Sequence, residues 1–280
     1  MMGLLSFLLP PLVAALLVVA IHVYFGLHVI RREIIFVDLS LAQIAALGAT
    51  LAFVLGIHPE EPLSYVFSLS FVILGGLFFA LTRAREQRIP QEAIIGIAYA
   101  VATAMAILVA DRAPGGAEHI KETLSGTILW VRWVTIGQMA ALYLVVGLLH
   151  GIFRRRFFAL TEKYRSGELG RADRGWDFLF YLTFGLTIVL SVRVAGILLV
   201  FSFLLVPTSA ALLLAGSWRS QLLLGWGIGL AAAVGGLCLS YAWDLPSGPA
   251  IVALLAFVLS LTAVFRAFST KKRSALVARD

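Results

Sequence analysis

The chain is poor in charge. Only 13% of its 280 residues are Asp, Glu, Lys or Arg, against about 25% in a soluble domain. It is also poor in cysteine: the single Cys238 lies in an apolar run, which excludes a disulfide framework and a cysteine metal site. No Gly-x4-Gly-Lys-Ser/Thr loop is present, so a pump built on this chain would draw its energy from a partner or an ion gradient. The apolar runs contain neither a His-Glu-x-x-His helix nor a paired nucleophile and base, which argues against an intramembrane enzyme. Deep carboxylates are nearly lacking. That disfavours an ion-gradient transporter, which uses membrane-embedded acids as proton or sodium sites. The start, MMGLLSFLLPPLVAALLVVA, lacks a charged n-region and an Ala-x-Ala site. It reads as a retained first span and not as a cleaved signal.

What the chain has is long apolar runs. Hydrophobic residues make up 61% of it, and the mean hydropathy is +0.98. The runs are separated by short charged clusters, the pattern of an all-α, polytopic helical membrane protein. The whole chain, 1–280, reads as one transmembrane domain. Spans of about 20 residues fall near 5–28, 38–56, 64–82, 92–110, 127–153, 176–192, 194–206, 221–241 and 249–267. The pair within 176–206 is either one long helix broken at Arg193 or two helices meeting at a tight outer turn.

The linkers at 31–34, 83–91, 154–175 and 207–220, with the tail from Arg266, hold 18 of the 22 Lys and Arg residues. Arg112, Lys121, Arg132 and Arg193 fall on or near the other side. The positive-inside rule makes the first set cytoplasmic, with the N-terminus outside and the C-terminus inside. The net charge of +7 therefore reports membrane orientation and not nucleic-acid binding. Trp130, Trp133, Trp176, Trp218 and Trp243 fall near predicted helix ends, where interfacial aromatics belong. Small residues crowd the span around Gly225, Gly227, Gly229, Ala231, Ala232, Ala233, Gly235 and Gly236, which suits close helix packing in lipid.

Several polar groups invite a functional reading. In FVDLSLAQIAALGAT, residues Ser40, Gln43, Leu47 and Thr50 share one helical stripe, a candidate wall of a polar path. Asp38 is expected at the cytoplasmic end of that span as an N-cap. The outer segments IHPEEP and DRAPGGAEHIKE carry His58, Glu60, Glu61, Asp111, Glu118, His119 and Glu122. Imidazole and carboxylate suit zinc or manganese, although no compact metal motif is formed. His22 is expected deep in the first span with a hydrogen-bonded role. RRRFFALTEKYRSGELGRADRGW reads as a solvated basic loop. The stretch between Pro207 and Gly216 reads as a short helix at the cytoplasmic interface, a lever for a soluble motor.

Together these residues resemble the permease subunits of the metal-ion ABC importers, the zinc and manganese uptake family, from about residue 10 to 265. Family members carry a double-basic turn followed by a Gly-Asp-x-Leu-(Ser/Ala)-His-Ala helix; here IRRE precedes VDLSLAQIAALG. Further family segments are similar to QEAIIGIAYA, TLSGTILW, VAGILLVFSFLLVPTSAALL and DLPSGPAIV, in that order. The sequence departs from the family at Leu39 and Gln43, which replace its Asp and His. Asp38 lies about 140° around the helix from Gln43. The resemblance implies a bundle in the bacterial cytoplasmic membrane that binds no cofactor and has a divalent metal ion as its substrate. Asp38, Gln43, His58 and His119 are the candidate metal-contacting residues, and Ser40, Gln43 and Thr50 the candidate path. It also implies a homodimer, an extracytoplasmic metal-binding protein, and a separate ATPase that binds ATP. The ATPase would dock on a coupling helix at about 207–218, with Pro207, Thr208, Ser209, Ala210, Ala211 and Arg219. The siderophore and cobalamin permeases are the nearest rival class; they have more spans and longer chains.

Overall fold

The computed structural model describes residues 2–83, 89–126, 128–166 and 168–277, with side chains except at 2–6, 119, 125, 165 and 269–277. The helices are α1 (Met2–Arg31), α2 (Val37–Val54), α3 (Pro62–Thr82), α4 (Gln91–Ala110), α5 (Gly116–Ser125) and α6 (Trp133–Ile152). They continue as α7 (Arg154–Ser166), α8 (Arg174–Ala195), α9 (Ile197–Leu214), α10 (Trp218–Trp243) and α11 (Ser247–Val277). Among the described residues, nine helices are long and apolar enough to cross a membrane, all except α5 and α7. This matches the nine expected spans, and the tryptophans fall at or near helix ends.

Helices α1 and α8 form the centre, each with 67% of its apolar window buried. Around them, α2 packs on α3 and α4, α3 on α8, and α9 on α1, α10 and α11. The outer faces of α4, α6 and α11 expose Ile97, Val101, Leu144, Leu148, Phe257 and Leu261. Only lipid suits such faces on a spanning helix, because every backbone group is already satisfied within the helix. The small residues of α10 do what lipid-embedded packing requires: a Cβ on Gly225 or Gly229 would lie 2.5 or 2.7 Å from the Val23 or Val19 side chain of α1.

Three expectations need correction. The pair within 176–206 is two helices, and the break is at Gly196, φ +77°, not at Arg193. Gly126, φ +68°, closes α5 against this turn, where an added Cβ would lie 2.2 Å from the Ala195 carbonyl carbon. Left-handed backbone and direct contact with another backbone both demand glycine there. The span expected from 127 begins at Trp133, because 116–125 forms the separate helix α5. The basic loop after Ile152 contains an amphipathic helix, α7, which buries Phe157, Leu160, Thr161 and Tyr164. Those positions follow the i, i+3, i+4, i+7 spacing of one helical face.

Helix α7 is held by a buried polar network at the arginine-rich end of the bundle. Arg32, 3% exposed, donates from Nε to Thr161 Oγ1 at 2.9 Å and pairs through Nη1 with Asp177 Oδ1 at 3.4 Å. Its guanidinium stacks on the Phe180 ring, 3.7 Å from the centroid. Tyr164 donates to the same Asp177 oxygen. Burial pushes its hydroxyl well above the usual phenol range, so it remains a donor. Thr161 Oγ1 donates to Phe157 O at 3.0 Å, which leaves it an acceptor for His28 Nδ1 at 2.8 Å. Arg31 turns the other way, stacking 3.6 Å from the Trp218 centroid and donating to Gln221. Arg32→Ala is expected to destabilise the protein by about 3–5 kcal/mol, the cost of a buried ion left unpaired. Thermal unfolding of the purified protein in detergent checks this against Arg132→Ala, whose 3.5 Å pair with Glu60 is exposed and contributes about 0–1 kcal/mol.

Candidate functional site

At the end of the bundle opposite the arginines lies a cavity of about 600 Å³. Its walls come from α2 (Ala45, Ala46, Ala49), α3 (Ser64, Tyr65, Ser68), α6 (Thr135, Gln138) and the end of α8 (Val189, Arg193). Glu60, Glu122 and Arg132 line it as well. The volume lies within the range of small-ligand sites. Arg193 Nη1 donates to Pro59 O at 2.6 Å, and Nη2 to Ser64 Oγ at 3.0 Å and Ser68 Oγ at 3.2 Å. Its guanidinium lies 3.6 Å from the Tyr65 ring centroid. The end of α8 is thereby strapped to α3 and to the loop that precedes it. Sequence reading placed Arg193 at a helix break and missed this role. The available signal was an arginine inside an apolar run, which is costly in lipid unless it faces the protein interior.

The polar stripe of α2 does not line this cavity. Its α2 wall is alanine, and Ser40, Gln43 and Thr50 are absent from it. Thr50 donates to Ala46 O of its own helix at 2.8 Å. Ser40 is fully buried, with its hydroxyl unpaired. Gln43 is 6% exposed, on the far side of the helix from Asp38.

Asp38 is a different case from the N-cap that the sequence suggests. The N-cap of α2 is Phe36, and no side chain of α2 caps it. Its backbone N–H donates instead to Glu92 Oε1 of α4 at 2.9 Å. Asp38 sits in the first turn, 1% exposed, and neither carboxylate oxygen has a hydrogen-bond partner. Seven and eleven residues on along the same helix are Ala45 and Ala49, within about 20° of the same face at 100° per residue. An isolated buried carboxylate is unstable as a bare ion and calls for a proton or a cation. With Asp177, Asp38 also corrects the expectation that the spans hold almost no buried acid.

The other sequence candidates are scattered. His58 is exposed in the α2–α3 loop, and its backbone N–H donates to Glu61 Oε1 at 3.1 Å. His119 falls on α5, and its side chain lies outside the described residues. No group of three or more His, Cys, Asp or Glu side chains is gathered in a metal-holding arrangement among the described residues. His22 is buried, and its Nδ1 donates to Val18 O at 2.9 Å, the structural role expected of it. At the arginine-rich end, the segment after Pro207 is not a separate helix. Pro207 lies inside α9, which runs on to Leu214, and Pro207, Thr208, Ala210 and Ala211 are buried. Proline removes one hydrogen bond, but the apolar run on both sides packs as one span, so the helix continues. Ser209 is half-buried, and the exposed part is the turn that follows, with Gly216, Ser217, Arg219 and Ser220.

Comparison with known proteins agrees with this architecture. The manganese import system permease protein ScaB of Streptococcus gordonii is 23% identical over 258 residues, 90% of this chain and 88% of that protein. The manganese transport system membrane protein MntC of Halalkalibacterium halodurans is 25% identical over 267 residues, 93% of this chain and 87% of the relative. The fold is similar to that of PsaBC from Streptococcus pneumoniae, solved in complex with Fab. The TM-score is 0.75 at 21% identity, covering 91% of this chain and 90% of that one. Residues 5–266 match the family described as the ABC 3 transport family. The chain therefore belongs to the ABC 3 transport family, as a membrane-embedded ABC permease whose ATPase is a separate protein.

Proposed function

We propose that this chain is the permease of an importer for a divalent metal ion, manganese or zinc. The observation that carries the reading is the alanine face of α2, which leads from the cavity beside Ala45 and Ala49 towards the unpartnered carboxylate of Asp38. The separation of Ala45 from Asp38 is about 10 Å at 1.5 Å per residue. Alanines leave room for a cation beside the helix, and Asp38 supplies a hard oxygen ligand of the kind manganese accepts. Asp38 thus stands in for the family's missing Asp and His, while Gln43 serves packing. The cavity faces outward, where an extracytoplasmic binding protein delivers the ion. Glu60 and Glu122 attract it, and the His58 and His119 loops belong to the capture face. Arg193 strapped to Pro59 keeps that face closed around the cavity. A second copy of the chain completes the path.

The arginine-rich end is cytoplasmic in this reading, with the N-terminus outside. The separate ATPase docks on the exposed turn Gly216–Ser220, where Arg219 is the charged contact. Pro207, Thr208, Ser209, Ala210 and Ala211 act behind it, as the buried stem that carries the motion into α9. Trp218, stacked on Arg31, joins the turn to α1.

Two outcomes test these assignments. Asp38→Asn is expected to lower manganese uptake into vesicles by at least about tenfold, the rate equivalent of ~1.4 kcal/mol. Gln43→Leu should leave uptake within about twofold of wild type, since both sites sit in one helix but only one faces the cavity. Equal losses would return the path to the polar stripe. Arg219→Glu should lower ATPase co-purification and ion-stimulated ATP hydrolysis, with membrane insertion unchanged on a fluorescence-detected sizing column. Undiminished stimulation would remove the turn as the docking contact.

A further inference from the structure

A second cavity, of about 370 Å³, lies at the arginine-rich end between the end of α3 and the start of α8. Its lining includes Arg83, Arg171, Arg174, Asp173 and Asp177. The two acids are already engaged. Asp173 accepts from Lys163 Nζ at 2.8 and 3.1 Å and from Gly170 N at 3.0 Å. Asp177 Oδ1 is committed to Arg32 and Tyr164. The three arginines have no such partner: no hydrogen bond or ion pair joins Arg83, Arg171 or Arg174 to a carboxylate among the described residues. Arg83 is fixed by stacking on the Tyr164 ring, 3.0 Å from its centroid, and its Nη1 is buried with no acceptor. Arg171 and Arg174 are exposed on the opposite wall. One acceptor is also left over: Asp177 Oδ2, in a residue only 2% exposed, has no donor.

Unpaired guanidiniums around a cavity call for an anion with several oxygens, and phosphate fits their planar forks. The leftover carboxylate oxygen calls for a hydroxyl beside that anion. The position, where α3 ends and α8 begins, is at the boundary of two spans, and basic pockets between helices at that depth take lipid head groups. We propose that this cavity binds a phosphoglycerol group: the phosphate between Arg83, Arg171 and Arg174, and a glycerol hydroxyl donating to Asp177 Oδ2. The head group of phosphatidylglycerol and free glycerol phosphate share this chemistry. Occupancy would bridge α3 and α8 beside the Arg32–Asp177 pair and so stiffen the end of the bundle that α7 closes.

The test uses the full chain in nanodiscs, with bound lipid counted by native mass spectrometry. Wild type is expected to retain phosphatidylglycerol over phosphatidylcholine. The double variant Arg171→Gln, Arg174→Gln should lose that retention by at least about fivefold, or ~1 kcal/mol. The charge-matched variant Arg154→Gln, Arg155→Gln, on α7, should keep it. Equal losses in the two variants would assign the effect to general surface charge and overturn the site. Phosphatidylmethanol, an anion without the hydroxyls, should be retained less than phosphatidylglycerol; equal retention would overturn the hydroxyl contact and with it the phosphoglycerol assignment. Thermal protection by millimolar glycerol 3-phosphate in phosphatidylcholine nanodiscs, abolished in the Arg171, Arg174 variant, would support the same site with a soluble occupant.

Discussion

The buried pairing of Arg32 with Asp177 is the interaction on which the arginine-rich end depends. Neither charge is tolerable alone at that depth, because desolvation costs several kcal/mol per ion. Each therefore dictates what surrounds it. Arg32 needs Thr161, Asp177 and the Phe180 face; Asp177 needs Arg32 and Tyr164. Thr161 and Tyr164 both belong to α7, so the pair holds a surface helix against two spans. The neighbouring Arg31 reaches Trp218 and Gln221 at the start of α10. One double-arginine turn thus ties together the ends of α1, α7, α8 and α10.

The opposite end is built on a contrasting principle. There a cation, Arg193, is satisfied by neutral groups: a carbonyl, two hydroxyls and an aromatic face. No acid is locked to it, so the acids of the cavity, Glu60 and Glu122, stay at the wall. The α2 wall is made of alanine, and the acid on that face, Asp38, lies two turns deeper with both oxygens free. A small-residue wall above a single unpaired acid is an economical way to offer a cation a route and a ligand. It also explains how this chain differs from the family pattern at Leu39 and Gln43 without losing a carboxylate from the helix.

Much of this was legible in the residues. The nine spans, the sidedness of the arginines and the tryptophans at helix ends follow from hydropathy and charge, which act locally. The amphipathic face of α7 was also there to read, in Phe157, Leu160, Thr161 and Tyr164, but a dense basic composition masked it. The α8–α9 break was placed at Arg193 because charge is the more obvious interruption. The decisive residue was Gly196, whose left-handed backbone is visible only once Gly126 is seen packed against it.

The site was less legible, for a reason of geometry. Helical spacing showed that Ser40, Gln43 and Thr50 share a stripe, and that Asp38 lies elsewhere on the helix. It could not show which stripe meets the cavity, because that depends on how α2 is rotated against α3 and α4. Likewise, Pro207 announced an interruption that packing against α1 and α10 overrides. The sequence by itself determined the membrane class, the span count and the family, since each rests on patterns within one segment of chain. Tertiary structure alone decided that Arg193 walls the cavity, that Glu92 caps α2 and that Asp38 is left without a partner. Those are relations between helices far apart in the chain, and only their packing brings them together.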